Sequence, residues 1–314
     1  MKIALLYCGK RRPESIKDVY YGLCALGHTP QYVMYDQLEK DLSVLKNFEL
    51  VFNRCQNRRE PTIIARLEHR GIVVTGNSAE TASICGDKQL VAEILRKETV
   101  PIPGFAAVNS LTDLPEVAYP CIIKPADEHA SNYLITENVV HDSVALRLMV
   151  REMLKIKKTV LVERFIEGRE FFVPLLWMPK TGTLGVPAFF EVVFSERFFK
   201  GLPRILSHEV KWNRKDPRYY GLFERFDHHL PPSLEKAVKD TAITAGRALG
   251  CRGYASVNIR MDAQNNLFVI DVNPNCDISL YSDFSIACYG AGIAYPEMLE
   301  RIIEHARNQP IKEK

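Results

Sequence analysis

The stretch VIDVNPNCDIS, Val269 to Ser279, decides how the chain reads. An apolar strand, FVIDV (268–272), runs into Asn273-Pro274-Asn275 and carries a carboxylate, Asp271, inside it. Strand alternation puts Asp271 and Asn273 on one face, just where the strand gives way to an Asn/Pro turn. The segment before it, ASVNIRMD (255–262), carries Ser256, Asn258 and Arg260 on one face by the same rule. The loop Ala263-Gln264-Asn265 is of hairpin length. Antiparallel pairing would therefore bring Asn258 close to Asp271 and Asn273. One carboxylate and two amide oxygens suit a hard cation such as Mg²⁺, which draws the rest of its shell from water and phosphate. A solvated polar patch at a cleft edge is the plainer alternative.

Working outward, KIALLY (2–7), QYVMYD (31–36), FELVFN (48–53) and IVVTG (72–76) read as strands. They alternate with helical stretches at about 13–26 and 62–71, the first opened by Pro13 and closed by Gly27. This alternation marks an open parallel sheet. An amphipathic helix at 87–98 leads to the connector VPIPGF (100–105), and a boundary is placed between 98 and 99. The second unit, 99–178, has the strand YPCIIKPA (119–126), a helix at about 143–157, and the strands TVLVERFI (159–166) and REFFVPLLW (169–177) joined by Glu167-Gly168. The third unit, 179–314, has VPAFFEVVF (186–194), a long helix at about 233–249, the hairpin described above, and a last helix at about 296–307. The fold class is α/β, with a parallel-sheet unit followed by two α+β units.

The chain has 314 residues, 46% of them hydrophobic and 25% charged, a balance that fits an ordinary globular protein. A net charge of +3 is too small to imply nucleic acid. The basic clusters Lys10-Arg11-Arg12, Arg58-Arg59 and Lys211 to Arg218 read as solvated faces or parts of an anion site. The eight cysteines are scattered with no CxxC pair, which argues against a zinc ribbon or a disulfide framework and for a reducing cytoplasm. No apolar run approaches ~20 residues, so no membrane span is expected.

Two lysines sit where phosphate could be met. Lys88 opens a helix after Gly86-Asp87. Lys124 ends a buried strand before Pro125, and such a lysine often points into a cleft. Each is otherwise a snorkelling surface lysine. Glu163 and Glu170 bracket the turn between two strands.

These features fall in a recognisable order. The chain resembles the D-alanine–D-alanine ligase branch of the ATP-grasp superfamily over nearly its whole length. The matching stretches are TGNSAETASICGDKQL (75–90), YPCIIKPADEHAS (119–131), VLVERFIEGREF (160–171), HEVKW (208–212), ALGCRGYASVNIRMD (248–262) and VIDVNPNCDIS. The resemblance implies an ATP-grasp fold with an N-terminal pre-ATP-grasp subdomain, and ATP held between the central and C-terminal ones. It places Lys88 and Lys124 on the ATP phosphates, Glu163 beside adenine, Glu170 on the ribose, and Lys211 on a loop reaching the γ-phosphate. Asn258, Asp271 and Asn273 match positions that hold two Mg²⁺. It implies a cytoplasmic carboxylate–amine ligase, often a homodimer, that forms an amide through an acyl phosphate from a small carboxylate and an amine. Neither nucleic acid nor membrane is an expected partner.

The departures are informative. Asn258 stands where the family has an acid, so Asn258→Asp is expected to strengthen Mg²⁺ binding. The phosphate loop reads ADEHASNY, poor in glycine; Ser131 keeps a plausible hydroxyl contact, and His129 stands where a glycine is expected. Ser256 replaces an arginine and Asp277 a glycine at the acyl-transfer site. Arg260 shares a face with Ser256, about 13 Å along the strand. Ser282 matches a hydroxyl near the second substrate's carboxylate, and Glu14 loosely matches a glutamate for the first substrate's amine. An ATP site kept and a substrate site rebuilt is the resulting expectation. Alternatives are a non-catalytic ATP-binding sensor or assembly protein, and a kinase-like relative that phosphorylates a small molecule and stops there.

Overall fold

The computed structural model describes residues 1–9, 14–128 and 131–309. Pro13, the Lys10-Arg11-Arg12 cluster and His129 lie outside the described residues. The strands are β1 (Lys2–Tyr7), β2 (Thr29–Met34), β3 (Leu50–Asn53), β4 (Phe105–Val108), β5 (Cys121–Pro125), β6 (Val139–Val140), β7 (Val160–Arg164), β8 (Arg169–Met178), β9 (Thr183–Gly185), β10 (Phe190–Phe194), β11 (Leu222–Arg225), β12 (Tyr254–Met261) and β13 (Leu267–Asn273). The helices are α1 (Ser15–Ala25), α2 (Tyr35–Lys40), α3 (Glu60–His69), α4 (Ala79–Cys85), α5 (Lys88–Lys97), α6 (Ser143–Leu154), α7 (Glu196–Phe199), α8 (His208–Trp212), α9 (Pro232–Ala248), α10 (Asp283–Gly290) and α11 (Tyr295–Arg307).

The first sheet is parallel, in the order β2-β1-β3. Its two faces go to different cores. Ile3 and Leu5 pack with α1, α11 and the C-terminal residues Phe172, Tyr254 and Phe284, while Ala4 and Leu6 pack with Tyr35, Leu38 and Ile63. A strand buried on both sides reads as a continuous apolar run, as KIALLY does. Helices α1 and α11 approach closely at Gly22, where a Cβ would sit 2.5 Å from the Leu299 side chain.

Two expected strands differ. The strand expected at 31–36 stops at Met34, because the Gln37 side chain caps the Met34 amide (3.1 Å) and turns Tyr35 into α2. IVVTG gives only a single parallel bridge, Val74 to Val51. The next amide of β3, Asn53, bonds the Thr75 hydroxyl (3.0 Å) instead of a backbone carbonyl, which ends the pairing.

The middle sheet is antiparallel, in the order β4-β7-β5-β6, and packs on α6. The C-terminal sheet runs β11-β10-β8-β12-β13, with β9 beside β8. β8, expected beside β7, leaves it at Gly168 and pairs with β10 and β12. Gly168 has φ +140°, and a Cβ there would lie 2.1 Å from the Met261 carbonyl. Only glycine allows the chain to cross at this point, so the sheets change over ahead of the boundary expected at 178.

Six cysteines are free, in keeping with the scattered spacing; Cys8 and Cys55, at the exits of β1 and β3, form a disulfide with Cα atoms 5.0 Å apart. Among the described residues no helix is long and apolar enough to cross a membrane.

Candidate active site

The β12–β13 hairpin forms with Asn258 directly across from Asp271 and Ser256 across from Asn273. The register then slips, leaving Ile270 as a bulged residue between Asp271 and Val269. Bulges re-aim backbone groups, and here the Ile270 carbonyl accepts from Lys124 Nζ at 3.3 Å.

Lys88, Lys124, Glu163 and Asp271 line one cavity, whose apolar walls include Val91, Leu95, Ile102 and Phe105. Lys88 Nζ lies 2.5 Å from Asp271 Oδ1, and Lys124 Nζ lies 2.7 Å from Glu163 Oε2. Each lysine arrives from a fixed element. Asp87 caps α5 by accepting from the Gln89 and Leu90 amides, and the Lys88 amide bonds the Ala126 carbonyl (2.8 Å), tying the helix start to the exit of β5. Burial works against the Lys88 ammonium, but Asp271 more than offsets it and holds the pKa above its usual value.

Glu170 is buried one strand away. Arg260 grips its Oε2 through Nη2 (2.8 Å) and Nε (3.1 Å) and also donates to the carbonyls of Ile166 (2.7 Å) and Arg204. Asn258 Nδ2 donates to Glu170 Oε1 at 3.3 Å. Its amide nitrogen is therefore turned to Glu170, leaving Oδ1 as the atom for a cation. Asn273 Oδ1 accepts from the Asn275 amide (3.0 Å). Among the described residues no group of three or more His, Cys, Asp or Glu side chains could hold a metal. The set Asp271, Asn258 and Asn273, all hard oxygens, fits one Mg²⁺ that takes most of its ligands from phosphate and water. A second ion would draw still more of its shell from outside the chain.

The remaining expected residues are dispersed. Ser131 Oγ donates to the Leu206 carbonyl (2.6 Å), joining the loop after β5 to the segment that leads into α8. Lys211 lies in α8, within electrostatic reach of Asp283. Ser256 is buried and bonds the Cys276 thiol. Ser282 caps α10, accepting from the Ser285 amide and donating to the Ser279 carbonyl. Glu14 pairs with Lys17 at 2.6 Å on the surface. Ser256, Arg260 and Ser282 thus each have their own set of partners.

Sequence reasoning passed over a buried network at the turn that follows β13. Glu60 Oε1 accepts from both Asn53 Nδ2 (2.9 Å) and Asn275 Nδ2 (2.6 Å), and burial pushes its carboxyl up to about 7. Arg54 donates to Tyr254, Asn275 and Cys276. Burial opposes its charge, but Tyr254 and Asp277 hold its pKa above the usual value. A signal was present: Asn53-Arg54 leaves a buried strand just as Lys124 does.

The family model for the D-ala D-ala ligase C-terminus matches residues 105–304. A D-alanine–D-alanine ligase of Thermotoga petrophila is 28% identical over 98% of this chain and 97% of its own length. A D-alanine–D-alanine ligase B of Chromobacterium violaceum is 25% identical over 86% of this chain and 85% of its own. The crystal structure of the Bacillus anthracis D-alanine–D-alanine ligase complexed with ATP superposes with a TM-score of 0.78 at 19% identity, covering 98% of this chain and 97% of that one. A second structure of that protein superposes with a TM-score of 0.80.

Proposed function

The chain belongs to the D-ala D-ala ligase C-terminus family, and from that membership we propose that it is an ATP-dependent, ADP-forming carboxylate–amine ligase. The observation that carries this reading is the cavity in which two lysines from separate elements meet Asp271 and Glu163. Two cations and an apolar wall around one cavity are the groups that a nucleoside triphosphate needs. Lys88 and Lys124 would exchange their carboxylate partners for phosphate oxygens. Glu163 would take the base end and Glu170 a ribose hydroxyl, with Arg260 fixing the Glu170 carboxylate.

The substrate carboxylate attacks the γ-phosphorus, ADP leaves, and an acyl phosphate remains. The amine then attacks the acyl carbon, phosphate leaves, and the amine's proton is lost. The chain contributes positioning and charge compensation. Mg²⁺, when bound at Asp271, Asn258 and Asn273, would lower the repulsion between phosphate and the incoming carboxylate. The segment that ends in α8, held to the phosphate loop through Ser131, would keep water from the acyl phosphate.

Two substrates of D-alanine, the product chemistry named for the relatives, are the first pair to try. ADP release is measured with ATP, Mg²⁺ and D-alanine, then with a panel of other amino acids and small acids, with hydroxylamine as a trap. ADP release that needs an acid, with hydroxamate formed, supports the ligase. ADP with neither amide nor hydroxamate identifies a kinase. Bound ATP with no turnover on any substrate identifies a binding protein. Lys124→Ala and Asp271→Ala are each expected to lower turnover below detection.

A further inference from the structure

The loop after β3 sends Arg54 across to the turn that follows β13, and its guanidinium is buried. Nη1 donates to Tyr254 Oη (3.0 Å), Asn275 Oδ1 (2.8 Å) and the Cys276 carbonyl (3.0 Å), all neutral acceptors. Nη2 faces Asp277 Oδ1 at 3.5 Å. That is longer than the roughly 2.7–2.9 Å of a charge-assisted bond. Asp277 is half exposed, and its oxygens already accept from the Ser279 amide (3.0 Å) and hydroxyl (2.9 Å).

A buried cation therefore has neutral groups along one edge and a loosely held, solvent-side counter-ion at the other. A guanidinium fixed by one edge presents the other for a carboxylate in a set orientation. The side chain is also held from behind. Cys55, next in sequence, is in the disulfide to Cys8, and its amide bonds Asn53 Oδ1 (3.0 Å). Gln56 Nε2 donates to the Asn275 carbonyl (2.6 Å). Cys276 and Asp277 follow closely on Asp271 in the chain, so this edge opens beside the end of the strand that reaches the nucleotide cavity.

Resting on the ligase reading, we propose that Arg54 binds the carboxylate of the incoming amine substrate, which displaces Asp277. Arg54 touches the acceptor and takes no part in forming the acyl phosphate.

The test uses the full chain with ATP, Mg²⁺ and D-alanine as the acid. D-alanine, ethylamine and hydroxylamine compete as acceptors, and the products are separated by mass. The wild type is expected to favour D-alanine over ethylamine by about 10- to 100-fold in kcat/KM, the scale of one charged hydrogen bond. Arg54→Gln is expected to bring that preference towards one and to lower the ratio of amide to hydroxamate, since hydroxylamine has no carboxylate. Asp277→Asn, which removes the competing counter-ion and leaves the buried network, is expected to lower the acceptor KM severalfold. Equal use of ethylamine and D-alanine by the wild type would overturn the proposal, as would a preference that survives Arg54→Gln. If Arg54→Gln does not fold, Asp277→Asn decides: an acceptor KM that stays level or rises rules the displacement out. Neither amide nor hydroxamate from the wild type would instead overturn the ligase reading beneath it.

Discussion

Asn258 shows what one side chain decides. Its Nδ2 lies 3.3 Å from Glu170 Oε1, and its backbone pairs with Asp271. An aspartate here would set a carboxylate against Glu170 and near Asp271, and like charges at such distances are costly without a cation. Asn258→Asp is therefore expected to lower Tm in EDTA by a few degrees, about 1–2 kcal/mol. Mg²⁺ should then raise the variant's Tm more than the wild type's. Thermal melts with and without Mg²⁺ check both arms, and an unchanged Tm in EDTA would remove the Glu170 contact from the account. Glu60 gives a second prediction at this scale. Its folded pKa, about 7, exceeds its usual 4.5. Between those values the folded state holds the extra proton, so Glu60 adds stability below about pH 4.5 that is lost as pH rises through 7. Glu60→Gln keeps an oxygen for Asn53 and Asn275 but cannot titrate. The difference in Tm between wild type and variant should shift against the wild type from pH 5 to 7.5; a flat difference refutes the shift. Asp271, Asn273 and Asn258 were legible because strand alternation and a short loop fix a face. Arg54 and Glu60 were not, because their partners lie some 200 residues away: Arg54 reaches Tyr254 and Asn275 at separations of 200 and 221.

At the scale of elements, the sequence is most readable where periodicity is long. The helices α5, α6, α9 and α11 fall close to their expected places, as do β1, β5, β7, β12 and β13. Short pieces such as β4, β6, β9, α7 and α8 escape, since a few residues carry too little pattern to separate strand, helix and loop. β4 follows directly on a proline-rich connector whose Gly104 carbonyl bonds the Arg164 amide (2.8 Å). Pairing between sheets is harder still: β7 and β8 are neighbours in sequence but belong to different sheets, and the switch depends on Gly168. Gly168→Ala must push a Cβ against the Met261 carbonyl, only 2.1 Å away, at a φ of +140°. That displaces β8 from β12 and with it the Glu170–Arg260 pair. The variant is expected to lose at least about 2 kcal/mol in urea unfolding and to raise the KM for ATP severalfold. A stable variant with normal nucleotide binding would mean that the crossing can relax.

The whole molecule is joined around the loop that follows β5. Asp127 and Glu128 on that loop meet Arg58 from the N-terminal unit, with Arg58 Nη2 at 2.6 Å from Glu128 and 3.0 Å from Asp127. Lys157, behind α6, pairs with Glu128 as well and lies 3.3 Å from Asp127. Ser131 and the Leu134 carbonyl bond the segment around α8, and Arg218 reaches back to the Thr136 hydroxyl (2.7 Å). A loop poor in glycine and rich in carboxylate is thus neutralised by cations from two other parts of the chain. The two cations are not equal. Arg58 is 63% exposed, while the Lys157 side chain is 8% exposed. Exposed ion pairs contribute ~0–1 kcal/mol, whereas removing the buried partner strands a mostly buried carboxylate at a cost of roughly 3–5 kcal/mol at full burial. Burial pushes the Glu128 pKa up, but Lys157 pulls it further down, so Glu128 is ionised where the pair must hold. Arg58→Ala is therefore expected to change Tm by no more than a degree or two and the KM for ATP by less than about threefold. Lys157→Met, which keeps the aliphatic packing, is expected to lower Tm by several degrees and to weaken ATP binding at least tenfold, because the exposed Arg58 alone would then offset the two carboxylates. Calorimetric titration of ATP into both variants separates them. Equal effects would mean that the loop is held by its contacts with the α8 segment, and that its charge matters little.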